Sequence, residues 1–271
     1  MVRQIPHCLL FFVLTTAGLP SMTRAEIITE RQAAEETEVN GLRLLGTGTQ
    51  ASRLTILGIH LGYVEDDTKM GDGRIFCGAI SRDKSRPAGE KVATALLKLP
   101  ASAIQNLGLK YVILCSGMTR TTAAEDRRIG GIPLPRLNLL LLDTGESGNT
   151  IAHIDRIFLH ELFHFMEIRL NTLHDKDWQK RFGVGYANSY EGRTNKPKTI
   201  GGGGRGFLNA YSVTYPHEER AELFAHLVLN PAEVVTHIRL KDDELLKRKT
   251  LYLVEKCERL FGIGIALPGM Y

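Results

Sequence analysis

Two short, nearly continuous apolar runs stand out along the chain, KYVILCSG (110–117) and LNLLLLDTG (137–145). Each has strand length and ends in a glycine-containing turn, which predicts two buried strands. IFCGAIS, after the turn cluster DDTKMGDGR (66–74), reads as a third strand. RLTILGIHLGYVE (53–65) has strand-like content interrupted by Gly58 and Gly62. Between the two strong strands, MTRTTAAEDRRIGGIPLPRL reads as a polar loop. Helical patterns occupy other stretches. GEKVATALLKL predicts a helix stopped by Pro100, and SAIQNLGL a shorter one. From about Ile151 to Leu170 a long helix is expected, with Asn149 or Thr150 as N-cap. Ile154, Ile157, Phe158, Leu162, Phe165 and Met166 give it a wide apolar face. Residues 171 to about 210 are polar and irregular, and the glycine-rich loop 185–206 reads equally as a flap or as slack. Two helices close the chain, PHEERAELFAHLVL from Pro216 and DDELLKRKTLYLVEKCERLFG. Strands gathered early and helices late make the expected class α+β.

The N-terminus has a different pattern. Arg3 precedes an apolar run from about Cys8 to Leu19, followed by a polar stretch with Thr23 and Ala25 ahead of a cleavage point. That layout predicts a signal peptide over 1–25 and a secreted or periplasmic product. The run is too short to span a bilayer, so no stable membrane insertion is expected after cleavage. EIITERQAAEETEV (26–39) is acidic and rich in helix formers, and the role of 26–89 is left open between propeptide, exosite and part of the sheet.

Composition narrows the partners. The 271 residues are 43% hydrophobic and 24% charged, ordinary for a folded domain. Without 1–25, the chain carries 32 basic against 30 acidic residues, because only Arg3 and Arg24 are lost. A balance of +2 gives no reason to expect nucleic acid as a partner. Of four cysteines, Cys8 leaves with the signal. Cys77, Cys115 and Cys257 permit one disulfide, Cys77–Cys115 by preference, or three buried thiols.

The long helix carries the chemistry, in FLHELFHFM (158–166). Residues four apart share a helical face, so His160 and His164 can aim ring nitrogens at one ion about 2.0–2.1 Å away. Glu161 stands beside the pair, placed to reach a water without taking a coordination site. The match is to H-E-x-x-H, the zinc metallopeptidase motif. A core helix with two satisfied histidines is the plain alternative. A catalytic zinc takes three protein ligands. The extended form H-E-x-x-H-x-x-G-x-x-H is excluded, because Glu167 and Leu170 stand where it needs glycine and histidine. Glu218, Glu219, Glu222 and His226, in AYSVTYPHEERAELFAH (210–226), are the candidates for the third ligand.

YSVTYPHEERAELFA resembles the second active-site segment of gluzincins related to the anthrax toxin lethal factor. It is also similar to that of bacterial secreted zinc-binding metallopeptidases, as is DWQKRFGVGY around Trp178. In those families a tyrosine precedes the third ligand by seven residues, and E-x-x-A-E carries that ligand as its first glutamate. Tyr211, Glu218, Ala221 and Glu222 match, while Arg220 stands where relatives often carry an aromatic. The resemblance covers roughly 110–262. It implies a zincin-like domain over 90–271, with a small mixed sheet, an H-E-x-x-H helix and a C-terminal helical part. It also implies zinc held by His160, His164 and Glu218, and a zinc-activated water attacking a peptide bond with Glu161 as general base. Tyr211, or alternatively Tyr215, would stabilise the oxyanion, and Glu222 would orient a ligand histidine. LNLLLLDTG would be the sheet edge to which a peptide or protein substrate adds. Two other readings share these residues: a non-catalytic secreted binding protein with a structural zinc, and a toxin or effector protease specific for one host protein.

Overall fold

The computed structural model describes residues 42–45, 49–70, 73–122, 126–145, 149–190 and 198–270. The expected signal peptide and the stretch 26–39 lie outside these residues.

The fold is α+β, built on a mixed sheet. β1 (Leu42–Leu44), β2 (His60–Val64), β3 (Thr68–Met70) and β4 (Ile75–Gly78) come first. β5 (Tyr111–Thr121), β6 (Asp126–Arg128), β7 (Gly131–Leu134) and β8 (Leu139–Asp143) follow. β5 is the long central strand. Its first half lies parallel to β2 on one side and β8 on the other. Its second half lies antiparallel to β4 and β6. β1 flanks β2, β3 flanks β4 and β7 flanks β8, all antiparallel. Segment 42–78, whose role the sequence leaves open, therefore supplies half of the strands of this sheet.

Side-chain alternation decides what each face of the sheet buries. Val112, Leu114, Leu140 and Leu142 pack into the large core against helices. Ile113, Cys115, Leu139 and Leu141 form a smaller core on the other face with Val64, Ile75, Cys77 and Met118. Cys77 and Cys115 are joined there in a disulfide, and Cys257 is a buried thiol.

The helices are α1 (Thr49–Ile56), α2 (Arg82–Leu96), α3 (Ala101–Asn106), α4 (Ile154–Arg169) and α5 (Lys176–Phe182). α6 (Pro216–Leu229), α7 (Pro231–Lys241) and α8 (Glu244–Phe261) close the chain. Among the described residues no helix is long and apolar enough to cross a membrane. α4 runs between the sheet and the C-terminal helices, so nearly all of its circumference is buried. Phe158, Leu159, Leu162, Phe163 and Phe165 are fully covered, and the Phe163 and Phe224 rings meet at 5.0 Å across α4 and α6. An apolar helix with no solvent face needs partners on both sides, and α4 has them.

Several sequence expectations are corrected. Residues 53–56 end a helix, and Gly58 at φ +81° turns the chain into β2. The stretch expected as a polar loop after Gly117 instead completes β5 and forms β6 and β7. Thr119, Arg120 and Thr121 pair through their backbones with Arg128, Arg127 and Asp126. A ladder with a solvated face tolerates polar side chains, which hides it from a hydrophobicity pattern. β8 is consequently not the sheet edge: β7 covers it. α4 starts at Ile154, because His153 at φ −116° interrupts the helix and leaves Asn149–Ala152 as a separate turn. α7 was not expected at all, and three helices close the chain instead of two.

A buried ion network ties α4, α6 and α8 together. Arg220 donates from Nε and from a terminal guanidinium nitrogen to the two oxygens of Glu167, at 2.8 and 3.0 Å, and also to the Leu173 carbonyl. Lys256 Nζ bridges Glu167 and Asp175 at 3.0 and 2.8 Å. Two acids face two bases, so every buried charge is compensated. Arg220→Ala would strand Glu167 with half its partners, and we expect a loss of about 3–5 kcal/mol. Urea unfolding of the variant reads this directly, and an unchanged midpoint would contradict it.

Candidate metal centre

His160 and His164 occupy successive turns of α4, on the side facing the first turn of α6. There, Pro216 at the helix start places Glu218 one turn in. Glu218 Oε2 lies 3.0 Å from His160 Nε2 and 3.4 Å from His164 Nε2, and the two Nε2 atoms are 3.1 Å apart. All three side chains are buried.

These separations can be tested against a metal. Tetrahedral bonds of about 2.0–2.1 Å place donor atoms about 3.3 Å apart. The observed triangle of 3.0, 3.1 and 3.4 Å has that size. Two imidazole nitrogens aimed at each other and at one carboxylate oxygen compete for the same protons, whereas a single cation satisfies all three. The surroundings also favour positive charge at this point. Burial alone would lower the pKa of His160, but the adjacent Glu218 and Glu222 carboxylates overcome it and raise the value to about 9. Glu218 is held well below the ordinary carboxylate range: burial opposes this, but His160, His164 and His217 outweigh it. Two histidines and one carboxylate are a donor set suited to zinc.

Around the triad the other acids of α6 are already engaged. Glu222 Oε1 accepts from Arg156 at 2.8 Å and lies 2.9 Å from His160 Nδ1, within ion-pair range but off the line of a good hydrogen bond. Its Oε2 accepts from Asn209 Nδ2 at 2.8 Å. Despite burial, the Arg156 charge holds Glu222 ionised. Glu219 points the other way, accepting from Lys249 Nζ at 2.9 and 3.0 Å and from the Tyr186 hydroxyl. His226 Nε2 lies 3.0 Å from the Lys198 carbonyl oxygen. Of the four candidates for a third ligand, the geometry brings Glu218 to the histidines.

Glu161 is half-buried beside the triad and outside it. Burial raises its pKa, with His160 and His164 pulling the other way. It packs so closely on Gly131 of β7 that any side chain at 131 would collide with it. The strand carrying Gly131 pairs only with β8 among the described residues, so the outer edge of the sheet passes over Glu161.

The Tyr211 ring centre is 6.0 Å from that of His160, and its hydroxyl makes no hydrogen bond among the described residues. Burial, then Glu218, raises its pKa, so it remains a proton-bearing donor. Tyr215 is engaged elsewhere, donating to the Asn188 carbonyl at 2.8 Å.

Sequence reasoning missed three participants. Tyr190 donates to Glu218 Oε1 at 2.6 Å, on the oxygen turned away from the histidines. Asn209 holds Glu222, and its Oδ1 accepts from the Tyr211 and Ser212 amides. Arg156 lies four residues before His160, and that helical spacing was the one signal that could have pointed to it.

The triad, His-x-x-x-His with a distant Glu, is consistent with a gluzincin-type zinc metallopeptidase fold. No protein-family model matches this sequence, and no curated protein matches it. The chain is similar to a solved structure, that of a “putative zinc-binding metallo-peptidase” from Bacteroides caccae ATCC 43185. The two share 12% identity, over 79% of this chain and 87% of that one, with a TM-score of 0.49.

Proposed function

We propose that the protein is a secreted zinc-dependent metallopeptidase of gluzincin type. The observation that carries this reading is three converging protein donors, with no fourth among the described residues, beside a glutamate that stands outside the triad. A structural zinc is closed by four protein ligands, whereas a catalytic one keeps a position open. That difference favours an enzyme over a binding protein with a structural site.

His160, His164 and Glu218 would hold the ion, with Tyr190 fixing the outer oxygen of Glu218 and Glu222 steadying His160. Bound zinc supplies Lewis acidity, which acidifies water and polarises a carbonyl. Glu161 accepts a proton from the attacking water and returns it to the leaving nitrogen, a task suited to a carboxylate whose pKa burial has raised. Tyr211, whose ring stands 6.0 Å from that of His160 and whose hydroxyl is unbonded among the described residues, donates to the developing oxyanion. The outer edge of β7 offers backbone groups to an extended peptide lying over Glu161.

Secretion is part of the proposal: residues 1–25 read as a signal, and the Cys77–Cys115 disulfide suits an oxidising compartment. Kinship with the lethal factor-like group and a single host target remain within this reading.

The mature chain, incubated with a proteome-derived peptide library, should generate new N-termini detectable by mass spectrometry. Chelation with phenanthroline should stop cleavage, and stoichiometric zinc should restore it. Cleavage that survives complete metal removal would contradict the reading.

A further inference from the structure

Two cations stand on the aromatic rings beside the triad, and the hydrolytic chemistry above uses neither. Lys198 Nζ lies 4.0 Å from the centre of the Tyr211 ring, and the Arg127 guanidinium carbon 4.9 Å from that of Tyr190. Tyr190 bonds Glu218, the Tyr211 ring lies 6.0 Å from that of His160, and the two tyrosine rings are 6.4 Å apart. Both cations are thus one aromatic ring away from the ligands. Each is half-buried, and neither makes an ion pair among the described residues. Nearby arginines differ: Arg128 pairs with Asp143, and Arg156 with Glu222.

Their placement is built into the fold. The Lys198 carbonyl accepts from Asn209 Nδ2 at 3.2 Å, and Asn209 also holds Glu222. Gly201 continues this anchoring by donating to the Leu208 carbonyl. Arg127 is registered opposite Arg120 on the β5–β6 ladder, just before the strand that passes over Glu161. A cation resting on a ring face keeps its N–H donors unspent. Lys198 also acts electrostatically on Glu161 and Glu222. With a divalent ion bound, Glu161 and Glu218 balance it and Glu222 balances Arg156. Among the described groups around the triad, Lys198 and Arg127 then leave a positive excess, and a one-sign cleft concentrates ligands of opposite charge.

We propose that Lys198 and Arg127 are specificity-determining residues that select peptides with a carboxylate beside the scissile bond. The carboxylate is an Asp or Glu side chain or a free C-terminus, and the guanidinium fork of Arg127 suits it geometrically. The proposal rests on the peptidase reading for its substrate class.

The test uses zinc-loaded Glu161→Gln, which should hold peptides without cleaving them, and fluorescence anisotropy with matched peptides. Glu, Gln or Lys is placed in turn at each internal position, and every peptide is made as free acid and as amide. Glu peptides or free acids should bind about five- to tenfold tighter than their Gln or amide counterparts, with the difference shrinking near 1 M salt. Adding Lys198→Glu or Arg127→Glu should reverse the Glu-to-Lys preference. The acid and amide arms distinguish a C-terminal carboxylate from a side chain. Equal binding of all peptides, no binding, or a preference that both reversals leave unmoved would overturn the proposal. If the preference and its reversal appear while wild type cleaves none of these peptides, the carboxylate site stands and the peptidase reading fails.

Discussion

Glu161→Gln should lower kcat/KM by about 10²–10⁴ while leaving the zinc content of the protein unchanged. The substitution keeps the side chain's volume, so its close packing on Gly131 survives. It leaves His160, His164 and Glu218 untouched, because Glu161 stands outside the triad. What it removes is the ability to take a proton. Steady-state kinetics on the best-cleaved library peptide, with elemental analysis of the same sample, separates the two effects. A rate within about threefold of wild type would remove Glu161 from the role of base. Equal loss of zinc and activity would mean that it acts through the metal site instead.

The legibility of this site follows from how local each interaction is. His160 and His164 lie one turn apart on one helix, so their spacing announces a shared face before any folding is known. Glu218 is 58 residues from His160, and only the resemblance singled it out from Glu219, Glu222 and His226. The structure separates these by long-range partners that no local pattern contains. Lys249 on α8 draws Glu219 away, and Arg156 and Asn209 hold Glu222. Tyr190 was invisible for the same reason, since its link to Glu218 depends on the fold of an irregular segment. The fold shows a similar division. β5 and β8 were readable because both their faces are buried, giving the runs VILC and LLLL. β6 and β7 were not, because Arg127, Arg128 and Pro133 give the segment the composition of a loop while its backbone completes a ladder. Arg220, the departure noted in the resembled segment, fills a fully buried site by pairing with Glu167.

Glu218→Ala should abolish high-affinity zinc binding, the second large effect expected. The variant removes one of three donors and leaves the Tyr190 hydroxyl without its acceptor. The other two glutamates of α6 are not free to replace it. Glu219 would have to abandon Lys249 and Tyr186 in a buried site, and Glu222 would have to leave Arg156 uncompensated. Glu219→Gln, by contrast, should keep its zinc as long as it folds. The most direct measurement is elemental mass spectrometry of the dialysed wild type beside Glu218→Ala. About one zinc per wild-type chain, falling below about a tenth in the variant, is the result predicted for a three-ligand centre. Full zinc in Glu218→Ala, or none in wild type after incubation with the metal, would contradict it.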